Sequence, residues 1–378
     1  MQIDGGTLKR SKDYSRTKYL DAFLRVAISI SAIAAFILTG TSMALRDFAY
    51  RITGNTYLVV ALYFSVCYIA HFLILLCVNF YDSFVVEHKY GLSNQTIFGW
   101  EKRELKKQAI IFPLMLIFCE LMYALMRLDT NYWWLTMALI WIVFAVILGK
   151  FAPVVIMPLF YKQRGLDDAV LKDRLTKLVR RCGAHIKDIF IIDLSRDTKK
   201  ANAGLAGMGK TRRILLSDTL LADFNHDEIE VVTAHELGHH RLMHIYKNLL
   251  LASAETILTL YLVSVIADGL IKYLQLDKIY DISSLPVIAL TLTVLGIFTA
   301  PASNALLRHM ELSADIYALK HTGLFDSFES LMNKLSGINL RDPSPGRIAE
   351  AFFYDHPPVS RRIAHSKTLR HIYGGETK

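Results

Sequence analysis

Residues 285–321 read LPVIALTLTVLGIFTAPASNALLRHMELSADIYALKH. The first 23 of these, Leu285 to Leu307, carry no charge. A run of that length covers the ~20 residues that a helix needs to cross a bilayer. From Arg308 to His321 the composition turns polar and keeps helical spacing, so a second helix is expected there. Glu311 and Asp315 stand four apart on one face of it. A bilayer span thus leads into a helix bearing two carboxylates.

Five further runs resemble the first. Val26–Leu45 is uncharged, Thr56–Phe80 carries only His71, and Ala109–Met126 carries only Glu120. Tyr132–Leu148 is uncharged and begins with Trp133 and Trp134, and Leu249–Ile271 carries Glu255 and Asp268. The composition agrees: 53% of the 378 residues are hydrophobic and 20% are charged, more apolar than soluble domains usually are. The bland reading is buried core helices of a large soluble enzyme. Six such runs with aromatic residues at several ends argue against it. Glu120, Glu255 and His71 are read as cavity-lining or buried groups, and Asp268 as interfacial. Residues 1–18 are polar and expected to be loose. The first run lacks a small-x-small exit and is expected to stay as an anchor.

The net charge of +9 raises nucleic acid as a partner, but its distribution excludes that reading. With the N-terminus cytoplasmic, segments 1–25, 81–108, 162–248 and 308–378 hold nearly all the Lys and Arg. The other side holds Arg46, Arg51, Arg127, Lys272 and Lys278. This is the positive-inside distribution. No base-reading or backbone-tracking motif accompanies it. The basic 81–107 segment is read as a contact with lipid headgroups. Cys67, Cys77, Cys119 and Cys182 form no C-x-x-C pair and are read as small buried hydrophobes.

The main soluble stretch, 162–248, predicts an amphipathic helix over Asp167–Arg181, with Val170, Leu171, Leu175, Leu178 and Val179 on its apolar face. Short strands are expected at Ile189–Leu194 and Arg213–Leu216, with a Gly-rich segment at Ala201–Lys210 between them. Ser217 or Asp218 can cap the next element. A helix is expected over Asp227–His244. It contains His235-Glu236-Leu237-Gly238-His239, the pattern H-E-x-x-H. On a helix the two imidazoles share one face and converge, which suits a zinc ion. Glu236 can then reach a water at the metal and take its proton as that water attacks a peptide carbonyl. Gly238 is read as keeping the helix face thin for substrate. A catalytic site of this kind needs a third protein ligand and one open position. The candidates are His244, His309, Glu311, Asp315 and His356. His244 is poorly placed for the same ion and is read as a surface residue. One carboxylate of the Glu311–Asp315 pair can bind metal while the other orients an imidazole.

HELGHH, then NALLRHMELSAD after two spans, then DHPPVSRRI near the end, resemble the type I integral-membrane CAAX prenyl endopeptidases. EHKYGLSNQT and NAGLAG are similar too, so the resemblance covers roughly residues 55–370. It implies that His235, His239 and Glu311 hold one zinc ion, with Glu236 as base and Asp315 behind an imidazole. It implies that His356 helps to polarise the scissile carbonyl. It also implies that Asn202 and Ala203 lie on an edge strand that pairs with extended substrate, and that Arg362 braces the site beside substrate. Family members of the eukaryotic type have seven spans around a water-filled chamber; six are counted here.

The expected fold class is mainly α, a polytopic membrane protein of about six to seven spans. It would carry a discontinuous, mostly helical zincin-type metalloprotease domain with a small β-sheet. The expected organisation is four spans over 1–161, catalytic segments at 162–248 and 308–378, and two spans over 249–307. The expected activity is that of a zinc metalloendopeptidase cutting membrane-associated or prenylated polypeptides on the cytoplasmic side. Tripeptide removal and membrane-protein quality control are its two tasks, and the membrane is either the bacterial inner membrane or the endoplasmic reticulum. The alternatives are a heat-shock-type membrane protease of the same clan, or a non-enzymatic receptor or transporter with structural zinc.

Overall fold

A computed structural model describes residues 4–184, 186–207, 209 and 212–373. In chain order the helices are α1 (Gly5–Leu38), α2 (Thr41–Ile52), α3 (Thr56–Phe80), α4 (Val86–Lys89), α5 (Ile97–Leu128), α6 (Trp133–Val155), α7 (Met157–Phe160), α8 (Ala169–Arg181), α9 (Asp218–Asp223), α10 (His226–Arg241), α11 (His244–Tyr273), α12 (Leu285–Thr322), α13 (Phe325–Ile338), α14 (Arg347–Phe353) and α15 (Val359–Tyr373). The strands are β1 (Gln163–Gly165), β2 (Ile189–Ile192), β3 (Ala203–Ala206) and β4 (Arg213–Ser217).

Among the described residues six helices are long and apolar enough to cross a membrane: α1, α3 with its continuation to Lys89, α5, α6, α11 and α12. The protein is an integral, multi-pass membrane protein with a small sheet, as the long runs predict. The runs themselves are adjusted. The first span ends at Leu38, not Leu45, because Gly40 turns the chain at φ 72°. The next helix, α2, is 12 residues, about 18 Å, too short for a ~30 Å hydrocarbon core. It is pinned by Ser42, whose Oγ donates to Ser283 O at 2.8 Å and lies 2.6 Å from Tyr63 Oη.

Residues 5–18, expected to be loose, are helical. Asp4 caps them by accepting from Thr7 N at 2.9 Å. Tyr14 Oη donates to Glu87 at 2.6 Å, Lys18 pairs with Asp82 at 2.5 Å, and Lys200 pairs with Glu87 at 2.8 Å. These partners lie 64 or more residues away in the chain, out of reach of a local pattern.

The separate helix expected over Arg308–His321 is instead the second half of α12. No Gly or Pro interrupts residues 302–322, and Gly323 ends the helix in the left-handed region at φ 67°. At 1.5 Å per residue the 38 residues run about 57 Å, nearly twice the hydrocarbon thickness. Glu311, four residues past the apolar run, stands about 6 Å beyond it. Conversely, the helix expected over Asp227–His244 stops at Arg241. Met243 takes φ 57°, and the chain re-enters a helix at His244. Pro153 lies inside α6.

One apolar core joins α8, β2, β4 and α10 to the end of α12, α13 and α15, with Leu175, Leu178, Ile214, Leu216, Leu237 and Phe328 fully buried. In α8 Asp168 caps the helix and Leu171, Leu175, Leu178 and Val179 are buried, whereas Val170 is exposed. Ser217 caps α9, its Oγ accepting from Leu220 N at 3.1 Å. The sheet has the order β1-β2-β4-β3, with β2 parallel to β4 and both outer strands antiparallel to their neighbours. Ala203 pairs with Leu216 and Leu205 with Ile214, so β3 is an edge strand. Of the cysteines, Cys119 and Cys182 are buried, Cys67 is half-buried and Cys77 is exposed. Met208 and Lys210 of the Gly-rich segment lie outside the described residues.

Candidate metal centre

The site begins with a well-capped helix. Asn225 accepts from Glu228 N at 2.9 Å while Glu228 accepts from Asn225 N at 2.9 Å, closing both ends of a capping box. Val231, Val232, Ala234 and Leu237 bury α10 in the core, which fixes its rotation. His235 and His239 then project together toward α12, with their Nε2 atoms 3.1 Å apart. Glu311 reaches them from α12, placing Oε2 3.2 Å from His235 Nε2 and Oε1 3.1 Å from His239 Nε2.

These three are the group of donors among the described residues able to hold one ion. Tetrahedral zinc with bonds of 2.0–2.1 Å would set its ligand atoms about 3.3 Å apart, close to the separations found. Oε2 of Glu311 is sealed from solvent and has no hydrogen-bond donor aligned on it, an arrangement that a cation would satisfy. His235 points the same way. Burial by itself would lower it, but Asp315 and Glu311 outweigh burial and hold the imidazole up to about 10. The pocket therefore favours a positive charge where the three donors meet, and the residues fit a metal ion.

Support comes from outside the trio. Asp315 Oδ1 is 2.9 Å from His235 Nδ1, which leaves Nε2 for the ion. Arg362, buried, clasps that carboxylate with Nε to Oδ2 at 2.8 Å and a second nitrogen to Oδ1 at 2.5 Å. His356 places Nε2 3.4 Å from Glu311 Oε2 and Nδ1 2.8 Å from Asp355 Oδ1. Asn202 is exposed and begins the edge segment. Its N–H donates to Ser217 Oγ at 3.0 Å and its carbonyl accepts from Ser217 N at 2.9 Å. Ala203 opens β3.

Two residues escaped sequence reasoning. Leu205 N, on the edge strand, donates to Glu236 Oε2 at 3.1 Å. Its side chain carries no signal, since a backbone group does the work. His244 is buried, not at the surface. Its Nδ1 lies 3.0 Å from His239 Nδ1 and its Nε2 3.2 Å from Ser313 Oγ, which donates to Met310 O at 2.7 Å. One tautomer satisfies the chain: His239 Nδ1–H donates to His244, His244 Nε2–H donates to Ser313, and His239 Nε2 is left for the ion. The turn at Met243 brings His244 back, and five-residue spacing gave no sign of it.

Gly238 has a different use from the one expected. A Cβ there would lie 3.1 Å from Tyr317 Cβ and 3.2 Å from both Cα and O of Ala314. The glycine faces α12 and lets two helix backbones approach; it does not open a face to substrate. Of the other ionisable residues, Glu255 accepts from Ser303 at 3.0 Å, His71 lies 3.1 Å from Ser29 Oγ, and Asp268 pairs with Lys272 at 2.6 Å.

Comparison with known proteins agrees with this geometry. Residues 1–162 match the family described as CAAX prenyl protease N-terminal, five membrane helices, and residues 166–370 match peptidase family M48. Four of the six candidate spans lie within 1–162; the short α2 is a further helix there. The chain is 26% identical over 282 residues to the uncharacterised metalloprotease YhfN of Bacillus subtilis, covering 74% of this chain and 66% of that protein. It is 24% identical over 336 residues to the CAAX prenyl protease 1 homolog of Homo sapiens, covering 77% and 70%. It is 27% identical over 272 residues to CAAX prenyl protease 1 of Saccharomyces cerevisiae, covering 68% and 59%. The alignments thus span between 59% and 70% of these relatives' own lengths. In fold, the crystal structure of S. mikatae Ste24p matches with a TM-score of 0.84 at 23% identity, over 96% of this chain and 89% of that one.

Proposed function

Since the chain belongs to peptidase family M48 and is a membrane-integral metalloprotease, we propose that it hydrolyses peptide bonds in polypeptides held at the membrane surface, using one zinc ion. Lipid-modified chains, prenylated ones included, are the substrate class that the named relatives favour. The observation that carries the proposal is the meeting of His235, His239 and Glu311 from two helices, beside Glu236 and an edge strand. The match of residues 1–162 to the CAAX-type membrane region speaks against the heat-shock-type alternative.

When bound, zinc supplies Lewis-acid polarisation and a water acidified toward neutrality. The protein's own groups do the rest. Glu236, steadied by Leu205 N–H on Oε2, takes the proton of the attacking water and passes it to the leaving nitrogen. His356, with a proton on Nε2 and Asp355 behind Nδ1, donates to the carbonyl oxygen as negative charge develops there. Arg362 holds Asp315, and Asp315 holds His235. β3, with Asn202 and Ala203 at its start, is the outer strand along which an extended substrate strand would pair. Residues 162–248 and 308–378 form one discontinuous catalytic domain in this reading, on the cytoplasmic side that the Lys and Arg distribution favours.

Chelation tests it. The purified protein in a bilayer should cleave a membrane-anchored fluorogenic peptide, lose that cleavage to 1,10-phenanthroline, and regain it on adding back zinc. Cleavage that survives complete removal of metal would refute the proposal.

A further inference from the structure

The last four carbonyls of a helix lack partners within it, and α14 ends just before His356. Its terminal carbonyls are taken by side chains from α12. Asn304 Nδ2 lies 3.0 Å from both Ala351 O and Phe352 O. One guanidinium nitrogen of Arg308 donates to Glu350 O at 3.0 Å and to Tyr354 O at 2.7 Å. A cation at a helix C-terminus also meets the negative end of the helix dipole. Arg308 Nε is 3.5 Å from the Glu350 carboxylate, which Arg361 grips with two nitrogens at 2.7 and 2.9 Å. On the other side Tyr19 of α1 stacks on Phe353 with ring centroids 4.7 Å apart, and its hydroxyl lies 2.8 Å from that of Tyr354.

Asn304, Arg308 and Glu311 stand at i, i+4 and i+7, a single stripe of α12. The stripe that sets the metal ligand therefore also sets the loop bearing His356. We propose that Arg308, with Asn304, is a positioning residue that fixes His356 relative to Glu311 by capping α14. This rests on the reading of His356 as a substrate-facing group.

The test is a double-mutant cycle on the zinc-loaded full chain in bilayer discs, read as kcat, KM and bound zinc with a fluorogenic peptide. Arg308→Ala should lower kcat about 10- to 100-fold, the cost of a misplaced catalytic group, with KM and zinc content unchanged. Arg308→Lys should recover part of the rate, because a single ammonium replaces a forked guanidinium. In a His356→Ala background Arg308→Ala should cost no more than about threefold, since a clamp acting only through His356 has nothing left to position. Should Arg308→Ala not fold, Asn304→Ala removes two neutral hydrogen bonds, keeps the ion pair, and enters the same cycle. Fully multiplicative losses in the double variant, or a wild-type rate in both single clamp variants, would overturn the clamp. A wild-type rate in His356→Ala would instead overturn the reading of His356 itself, whatever Arg308→Ala does.

Discussion

Replacing Glu236 by Gln lowers kcat for peptide hydrolysis about 10²- to 10⁴-fold, the usual worth of a positioned general base, and leaves the bound metal in place. The substitution keeps size and shape and removes only the ability to accept a proton. Glu236 lies between His235 and His239 on α10, yet the donors that converge are those two histidines and Glu311. Metal content should therefore not depend on it. The amide oxygen of Gln can still accept from Leu205 N, which now bonds Glu236 Oε2 at 3.1 Å, so the edge strand should hold its position. Loss of metal alongside activity would show that Glu236 is part of the ion's coordination, contrary to the geometry. An unimpaired rate would remove it from the chemistry.

The second large effect belongs to a residue without a functional group. Gly238→Ala should weaken metal binding and slow hydrolysis together. Two of the three nearest atoms to the new Cβ are backbone atoms of Ala314, at 3.2 Å, and backbone cannot swing aside. α10 and α12 must part by a few tenths of an ångström. His235 and His239 ride on one helix and Glu311 on the other, and their separations of 3.1–3.2 Å have little slack around an ion. Overpacking of this kind costs about 1–3 kcal/mol. Taken from the metal complex, that is roughly 5- to 150-fold in affinity. Gly269→Ala is the control, since a Cβ at Gly269 meets nothing within 4 Å. Zinc titrations of the two variants read the difference, and wild-type affinity in Gly238→Ala would show that the helix spacing is not what aligns the ligands.

How much of this was legible from the chain itself depends on how far apart the interacting residues lie. The spans were, because a long uncharged run declares itself locally. So were the buried face of α8 at Leu171, Leu175 and Leu178, the strands at Ile189 and Arg213, and the pairing of His235 with His239 four residues on. Glu311 was only one candidate among several until its resemblance to a known motif singled it out. The hidden part was tertiary. The order of residues 5–18 depends on Asp82, Glu87 and Lys200. The role of His244 depends on a backward turn at Met243 and on Ser313, 69 residues away. Leu205 acts through its backbone, and Gly238 through the atom it lacks. The α12 helix was cut in two because its composition changes at Arg308, although no residue there breaks a helix.

Three donors from two helices holding one ion are the centre of the proposed chemistry. The direct measurement is the zinc content of the purified protein compared with Glu311→Ala and Glu236→Gln, by inductively coupled plasma mass spectrometry on bilayer-reconstituted samples. One zinc per chain is predicted for the unaltered protein and for Glu236→Gln, with most of it lost in Glu311→Ala. Zinc retained at full stoichiometry in Glu311→Ala would contradict that arrangement.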